Sequence, residues 1–414
     1  MEYIAVLDLG TSKMLAMVAD KDDRKKILAI EQIDSGGSIR RGLIYRTTEA
    51  ASKIAGLIRR LNEHLKQENL PPLKQIYLGI GGQGLHTKKH SVETILEANQ
   101  MVDDNLLDLL RDECQAEGNG TFELIENISP EYYVDGQLEL HPQGVRCNKL
   151  EARFQLILGH FSAFRTEVEE ALKKENVELL DTFVSPVATA GQVLTPREKE
   201  RGCALVEWGA GVTYLSVYTH GLLRHLIAIP LGGHTITRDI YSLDKAETEA
   251  EAESMKIREG SACIDDETNE LNNVIEARVG EIIANIRRQI EISGYEQALH
   301  AGFVLTGGAS RLAGLEQLLR QQTNKPVRRV EENPEQSCAR GLLLLGNENC
   351  AAEMSEIKTP AHATGATMFP PDEVEIKLPG EKTGKEKAPS GGFFKKVTKK
   401  VTDATKNAST GLFD

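Results

Sequence analysis

Apolar and polar positions along the chain spell out one pattern twice. Ile4-Ala5-Val6-Leu7 is an apolar run that ends in Asp8, Gly10, Thr11, Ser12 and Lys13, after which Met14-Leu15-Ala16-Met17-Val18 is apolar again. Leu205-Val206-Glu207-Trp208-Gly209-Ala210-Gly211-Val212-Thr213 has the same form and continues as Tyr214-Leu215-Ser216-Val217-Tyr218. A third apolar run follows each copy, Ile27–Ile30 and Leu226–Ile229. Short apolar runs between turn residues predict buried strands. Each copy therefore predicts a strand–loop–strand–strand unit, and the repeat predicts two similar subdomains.

The remaining elements alternate between helix and strand, which is α/β logic. A short strand is expected at Arg41–Tyr45. Ala50, Ile54, Leu57, Ile58, Leu61 and Leu65 give helical spacing to Thr47–Lys66, which Pro71-Pro72 stops. Gln75–Gly82 reads as a strand. A different unit occupies roughly Gly84–Leu158, with a helix at Asp103–Ala116 and strands at Phe122–Glu126, Tyr132–Gln137 and Leu150–Leu158. Beyond it come a helix at Ser162–Asn176, a return strand at Val177–Leu180 and a segment Ser185–Gly191. After the second copy, helices are expected from Gly232-Gly233 onward, over Lys245–Arg258 and over Leu271–Ser293. Phe303–Thr306 is a strand, with a helix after Ser310 that Ser310 can cap. Lys325–Val330 is an edge strand and Cys338–Leu345 the last helix of the body.

The loops carry the candidate chemistry. Gly10 lets the backbone turn tightly and approach a ligand. Thr11, Ser12 and Lys13 offer hydroxyls, N–H groups and a positive charge to phosphate oxygens, and Asp8 is placed to hold hydrated Mg²⁺. Alone, this stretch reads equally as a plain turn between strands; the second copy changes that. Two acid-tipped hairpins facing each other would grip one polyphosphate and one metal ion. Gly307-Gly308 leaves no side chain in the way of a flat base or a ribose, and Gly232-Gly233 at a helix start makes a turn friendly to anions. His234, next to it, reads as a capping or surface residue.

The three motifs resemble the phosphate-1, phosphate-2 and adenosine motifs of the actin, Hsp70 and sugar-kinase superfamily. Within it the chain most resembles the FtsA family of actin-like bacterial cell-division proteins, over essentially its whole length. Particular to that family are Tyr132-Tyr133-Val134-Asp135-Gly136-Gln137, the Pro142–Gly144 pair, Leu150-Glu151-Ala152, and Ala252-Glu253-Ser254-Met255-Lys256. The resemblance implies an α/β, actin-like (ribonuclease-H-like) duplicated fold with a small α/β insert. It places the first part of one actin-like subdomain at 1–83, the insert at 84–160, a return with a connecting helix at 161–200, the second actin-like domain at 201–349, a linker at 350–392 and an amphipathic helix at 393–410. It implies ATP and Mg²⁺ as cofactors. Asp8 and Glu207 would handle the metal; Gly10, Thr11, Ser12, Lys13, Gly209, Gly211 and Thr213 the phosphates; Glu253, Lys256, Gly307, Gly308, Ser310 and Arg311 the nucleoside; and Gly232-Gly233 would lie by the nucleotide. The implied partners are the C-terminal tail of FtsZ, further copies in filaments, and later division proteins. Ile275-Glu276-Ala277-Arg278 resembles the start of the helix where the family docks that tail, which makes Arg278 the candidate partner residue; a solvated arginine is the plainer reading.

The second loop departs from the family's usual D-x-G-x-G-T-T. Glu207 replaces the aspartate, Ala210 a small or glycine residue, and Val212 a hydroxyl residue, which removes one hydroxyl from the loop. These changes bear on hydrolysis, which needs tightly placed groups, so a weak or absent ATPase is expected. No convincing residue for orienting a water stands near the hinge except Gln192.

Composition narrows the partners. The formal net charge is −13, which argues against a nucleic-acid binder. Six scattered cysteines without a C-x-x-C pair read as thiols in a reducing cytosol. The N-terminus runs straight into a strand, so no signal peptide is expected, and no apolar run reaches membrane-span length. From about Cys350 to Gly392 the chain is rich in Pro, Gly, Glu, Lys and Thr, as linkers are. On a helical wheel Phe393, Phe394, Val397, Val401, Ala404 and Ala408 then share one arc, and Lys395, Lys396, Lys399, Lys400 and Lys406 lie on the other. A basic amphipathic helix of this kind lies in a membrane interface, each lysine near an anionic leaflet adding about 1 kcal/mol. The expected location is the cytoplasmic face of the inner membrane at the division site, bound peripherally to anionic lipids. Rival readings are a small-molecule kinase of the same superfamily and a PilM-like pilus-assembly adaptor. A kinase needs an acceptor pocket with its own base, which the motifs do not supply, and the basic tail favours FtsA over both.

Overall fold

The computed structural model describes residues 1–115, 122–139, 141–263 and 268–352. The chain opens with β1 (Tyr3–Leu9), β2 (Lys13–Asp20) and β3 (Ile27–Asp34), then a small hairpin of β4 (Ile39–Arg40) and β5 (Leu43–Ile44), then α1 (Thr47–Gln67) and β6 (Gln75–Ile80). Next come β7 (His86–Met101), α2 (Asp104–Gln115), β8 (Glu123–Val134), β9 (Gln137–Glu139) and β10 (Arg146–Gly159). The first half closes with α3 (Ser162–Lys173), β11 (Glu178–Val184) and α4 (Ser185–Val193), and α5 (Pro196–Arg201) leads out of it. The second half holds β12 (Cys203–Trp208), β13 (Thr213–Thr219), β14 (Leu222–Ile229), α6 (Gly233–Tyr241), α7 (Glu249–Glu259), α8 (Glu270–Ser293), β15 (Gly302–Thr306), α9 (Leu315–Thr323), β16 (Val327–Arg329) and α10 (Ser337–Leu345).

The two halves are built alike. The first sheet runs β11-β6-β1-β2-β3, and the second begins β16-β15-β12-β13-β14. In each, three strands run parallel in succession, β11-β6-β1 and β16-β15-β12, and the hairpin strands follow antiparallel. Helices cover both sheets, which is why β1 and β12 are apolar almost throughout. The stripe on α1 is buried as its spacing predicts, from Ala50 to Leu65. The helices that end the halves, α4 and α10, cross closely. A Cβ on Gly341 would lie 2.1 Å from the carbonyl oxygen of Ala188.

Strands β7, β10, β8 and β9 continue the second sheet beyond β14. They have an apolar cluster of their own under α2, centred on Val92, Leu107, Leu110, Leu150, Phe154 and Leu156. Among the described residues their ladder pairing to β14 is Ile227 with His86, and next to it Leu226 N donates to Thr87 Oγ1 at 2.9 Å. Beside it Arg224 forms an ion pair with Glu131 at 2.8 Å.

Several local expectations change. The strand expected at 41–45 is the return arm of a hairpin with Ile39–Arg40. The strands expected at 122–126 and 132–137 are one strand, β8, interrupted by irregular register against β10. The sixteen-residue β7 was not foreseen. No helix starts at Ser310: residues Gly308–Arg311 form one 3₁₀ turn, and the left-handed Gly314 (φ 75°) precedes α9. The body also reaches past 349, since Cys350 and Ala351 are buried and Ala351 bridges to Leu73. Among the described residues no helix is long and apolar enough to cross a membrane. The tail from 353 on, including Phe393, Phe394, Lys395, Lys396, Val397, Lys399, Lys400 and Val401, lies outside the described residues.

Candidate functional site

Both hairpins are drawn from the same local rule. In the first, Asp8 pairs with Leu15 across β1 and β2, and Gly10 N donates to Lys13 O at 2.9 Å. In the second, Glu207 pairs with Tyr214 across β12 and β13, and Gly209 N donates to Val212 O at 3.0 Å. A Cβ on Gly10 would lie 2.9 Å from Lys13 O, and one on Gly209 2.7 Å from Val212 O, so each turn is tight enough to call for glycine. The loops face each other across one cleft of about 330 Å³ and nearly touch: a Cβ on Gly211 would sit 2.6 Å from the hydroxyl of Thr11.

The loops leave donors open. The backbone N–H groups of Thr11, Ser12, Ala210 and Gly211 donate to no protein acceptor among the described residues. The Lys13 ammonium has no ion pair there either. Open N–H groups and a free cation around a concave wall suit an anion of several oxygens.

Asp8 and Glu207 lie at the base of the cleft. Each keeps some solvent contact through the cleft, with protein on its other sides. Burial pushes the Asp8 carboxyl up, opposed by the Cys338 thiol and by Lys13. Glu207 is pushed up to about 8, by burial first and by the charge of Asp8 second. Its Oε2 is buried without a hydrogen-bond partner. Two carboxylates that raise each other's cost of ionisation, one with an orphaned oxygen, are a donor set that would hold a cation. Among the described residues no three His, Cys, Asp or Glu side chains are placed to hold a metal ion on their own. The donor set therefore suits a hard divalent ion that keeps most of its waters and takes further oxygens from a ligand.

The far wall is formed by α6, α7 and the turn after β15. Lys256 is 8% exposed, and its ammonium donates to Gly233 O at 3.0 Å, Thr237 Oγ1 at 2.8 Å and Glu253 Oε2 at 2.6 Å. Three acceptors saturate three N–H bonds, so the Lys256 ammonium at the cleft wall is spent on the protein's own oxygens. It positions Glu253, whose Oε2 also accepts from Thr237 and which lines the cleft. Burial lowers the Lys256 pKa, and Glu253 opposes that shift.

Of the residues singled out from sequence, Asp8, Gly10, Thr11, Ser12, Lys13, Glu207, Gly209, Gly211, Gly233, Glu253, Lys256, Gly307 and Gly308 line this one cleft. Four do not. Thr213 is buried and donates to Leu231 O at 2.8 Å. Ser310 is buried and donates to Gly307 O at 2.7 Å instead of capping a helix. Arg311 forks onto Glu335 Oε2 at 3.1 and 3.0 Å. Gly232 stands behind the second loop, where a Cβ would lie 2.6 Å from Gly209 O. Nor is the start of α6 an open anion site. Gly233 N donates to Gly209 O at 2.9 Å and His234 N to Ala210 O at 2.8 Å, so its N–H groups hold the second loop. Arg278 lies outside the cleft and is bound to Asp239 through Nε and Nη2 at 2.5 and 3.1 Å, which replaces the solvated arginine. Sequence reasoning missed Tyr214, Ser185, Cys338 and Glu335 as lining residues. Only the register Glu207–Tyr214 could have pointed to the first; the others come from helices whose approach to the cleft is set by tertiary packing.

Comparison with known proteins agrees with this architecture. A family model described as cell division protein FtsA matches residues 204–366. Among solved structures, a PilM–PilN type IV pilus biogenesis complex superposes with a TM-score of 0.59 at 17% identity, over 83% of this chain and 98% of the other. MreB5 of Spiroplasma citri bound to ADP does so with a TM-score of 0.51 at 12% identity, over 83% and 96%. These likenesses show the actin-like fold. Sequence goes further. The cell division protein FtsA of Pseudomonas aeruginosa is 26% identical over 390 residues, covering 86% of this chain and 91% of the relative. That of Porphyromonas gingivalis is 31% identical over 353 residues, covering 78% and 72%. With a duplicated actin-like body and that identity over most of both sequences, the chain belongs to the FtsA family of cell-division proteins.

Proposed function

We propose that the cleft binds ATP with Mg²⁺, that copies of the chain assemble with nucleotide bound, and that the C-terminal helix holds the assembly at the cytoplasmic face of the cell membrane. The chain divides in this reading into 1–83, 84–160, 161–200 and a second actin-like domain from 201, the body running on through Ala351 before the linker and the helix at 393–410. The observation that carries the nucleotide reading is the pair of facing loops with four open N–H groups above the carboxylates of Asp8 and Glu207. The open N–H groups and Lys13 hold phosphate oxygens, and Glu253 accepts from ribose hydroxyls while Lys256 keeps it aimed. Mg²⁺, when bound, offsets charge on the carboxylates and the phosphates. MreB5, which shares the fold, was solved with ADP and with AMPPNP, and that supports the choice of ligand. Ala210 and Val212 offer no hydroxyl and Glu207 reaches further than an aspartate, so the reading expects slow hydrolysis at most.

Membership of the family supports FtsZ, further copies and later division proteins as partners. At Arg278 an acidic FtsZ tail would have to compete with Asp239 for the guanidinium. The tether reading rests on the apolar and basic arcs of 393–410.

Co-sedimentation with anionic liposomes tests it, comparing the full chain with one ending at Ser390, each with and without ATP–Mg²⁺. Pelleting of the full chain alone, increased by ATP–Mg²⁺, is the expected result. Both chains staying in the supernatant under every condition would overturn the tether.

A further inference from the structure

The internal repeat breaks at one informative place. Leu15 and Tyr214 hold equivalent positions, each paired with the acid of its hairpin. Leu15 is 1% exposed and fills the core of its own half. Tyr214 instead sends its ring out of its own sheet and into the first half.

There its hydroxyl accepts a hydrogen bond from Gly82 N at 2.5 Å. Three glycines make room for it. A Cβ on Gly81 would lie 2.5 Å from Tyr214 Oη and one on Gly42 3.1 Å from it, and Gly82 adopts φ 101°. Gly42 and Gly82 touch backbone to backbone, a Cβ on Gly42 falling 2.6 Å from Gly82 Cα. Gly42 N in turn donates to Thr11 Oγ1 at 3.1 Å, and Thr11 is the side chain that packs on Gly211. The contacts form a closed ring: first loop, Gly42, Gly82, Tyr214, second hairpin, second loop and back to Thr11.

Gly82 is also the root of β7. Gln83 N donates to Arg41 O at 2.8 Å and Leu85 N to Gly82 O at 3.2 Å, while Leu85 O accepts from Ala228 N of β14 at 2.8 Å. Any ligand that parts Thr11 from Gly211 strains this ring, and the ring's outer corner is the point where strands β7–β10 join the body. We propose that Tyr214 couples occupancy of the cleft to the orientation of those strands, as a positioning residue rather than a catalytic one. The inference rests on the nucleotide reading for the identity of the ligand. Coupling of this kind is reciprocal: whatever binds the β7–β10 face in one orientation shifts affinity in the cleft by the same factor.

Hydrogen exchange on the full chain tests the proposal, with wild type and Tyr214→Phe each measured with and without ATP–Mg²⁺. The variant keeps the ring's bulk and removes only the acceptor. Without nucleotide, exchange across residues 81–85 is expected to rise about tenfold in Tyr214→Phe, as for loss of one hydrogen bond. With nucleotide, wild type is expected to change its exchange in 86–101 and 146–159, while Tyr214→Phe, compared at nucleotide concentrations that equilibrium dialysis shows to saturate each protein, shows no change there. Thr11→Val, which cuts the opposite side of the ring, is expected to raise exchange at Gly42 and across 81–85 as well. Unchanged exchange at 81–85 in ligand-free Tyr214→Phe, or a full nucleotide response in the variant, would overturn the coupling. Equilibrium dialysis showing no nucleotide bound to wild type would sink the nucleotide reading instead, and the ligand-free comparison would still decide whether the ring holds.

Discussion

The two hairpin loops share a backbone and differ in almost everything else. Each is closed by the same turn bond, and each has its carbonyls tied from behind. In the first, Ser35 does this, donating from Oγ to Gly10 O at 2.8 Å and from N to Ser12 O at 3.0 Å. In the second, the first two N–H groups of α6 do it, on Gly209 O and Ala210 O. The first loop carries two hydroxyls and an ammonium toward the cleft. The second carries Ala210, Gly211 and Val212, with Val212 4% exposed and Trp208 behind it 1% exposed. One loop supplies side-chain chemistry and the other a stiff wall of backbone. Duplication kept the geometry and divided the work, so a motif defined by hydroxyls recognises the first loop more readily than the second.

The largest difference should come from the supports. Gly232→Ala forces a Cβ to 2.6 Å from Gly209 O and is expected to lower the unfolding free energy by about 3 kcal/mol or more. Ser35→Ala removes one hydroxyl and should cost about 1 kcal/mol. Urea denaturation of both variants reads the contrast, and equal losses would mean that the supports are equivalent. Next are the acids as ligands. Asp8→Asn should weaken Mg²⁺–ATP binding about 100-fold, some 2.7 kcal/mol, and Glu207→Gln by less, as titration calorimetry would show; the reverse order would give the metal to Glu207.

The acids should also differ in stability. The Glu207 carboxyl, ordinarily near 4.5, is raised to about 8 in the folded chain. Below pH 4.5 both folded and unfolded chains hold the proton. As pH rises toward 8 the unfolded chain releases it while the folded chain keeps it, so stability falls across that window and levels off above it. With partial solvent contact the loss should be about 2 kcal/mol. Glu207→Gln should flatten that part of the melting-temperature profile of the ligand-free protein. A slope unchanged in the variant would trace the loss to other groups. Thr11→Val should cost about tenfold in ATP affinity, since Thr11 both faces the ligand and holds Gly42. Val212→Thr, which restores a hydroxyl to the second loop, should change affinity less than threefold, because Val212 is only 4% exposed. A larger gain would show that the second loop lacks a side-chain donor it could use.

Most of the fold was legible because its signals are local. The duplicated apolar runs, the α1 stripe and the Gly-rich turns each follow from residues within a few positions of one another. The misses are non-local. Strand β7 reads His86-Thr87-Lys88-Lys89-His90-Ser91, polar on both faces at its start, and it becomes a strand because β10 pairs with it along its length. Helix α9 starts late because Gly314 takes a left-handed conformation beside Cys263, where a Cβ would lie 2.7 Å from Cys263 N. In the site, the line of the chain shows which residues cluster but not how their hydrogen bonds are spent. Lys256 and the start of α6 both carry the right groups for a ligand, and in both the protein's own oxygens have taken them.

The strands β7 to β10 enter and leave the body through a gap one hairpin wide. His86 is paired with Leu158, a Cβ on Gly84 would lie 3.2 Å from the His160 ring, and one on Gly159 3.2 Å from Leu85 Cδ1. Two chain ends held that close can be joined by a turn of about two residues, and neither core sheet needs any strand from beyond the gap for its order. The segment is thus a cassette in the evolutionary sense. The strand order of each core sheet, β11-β6-β1-β2-β3 and β16-β15-β12-β13-β14, is complete without it.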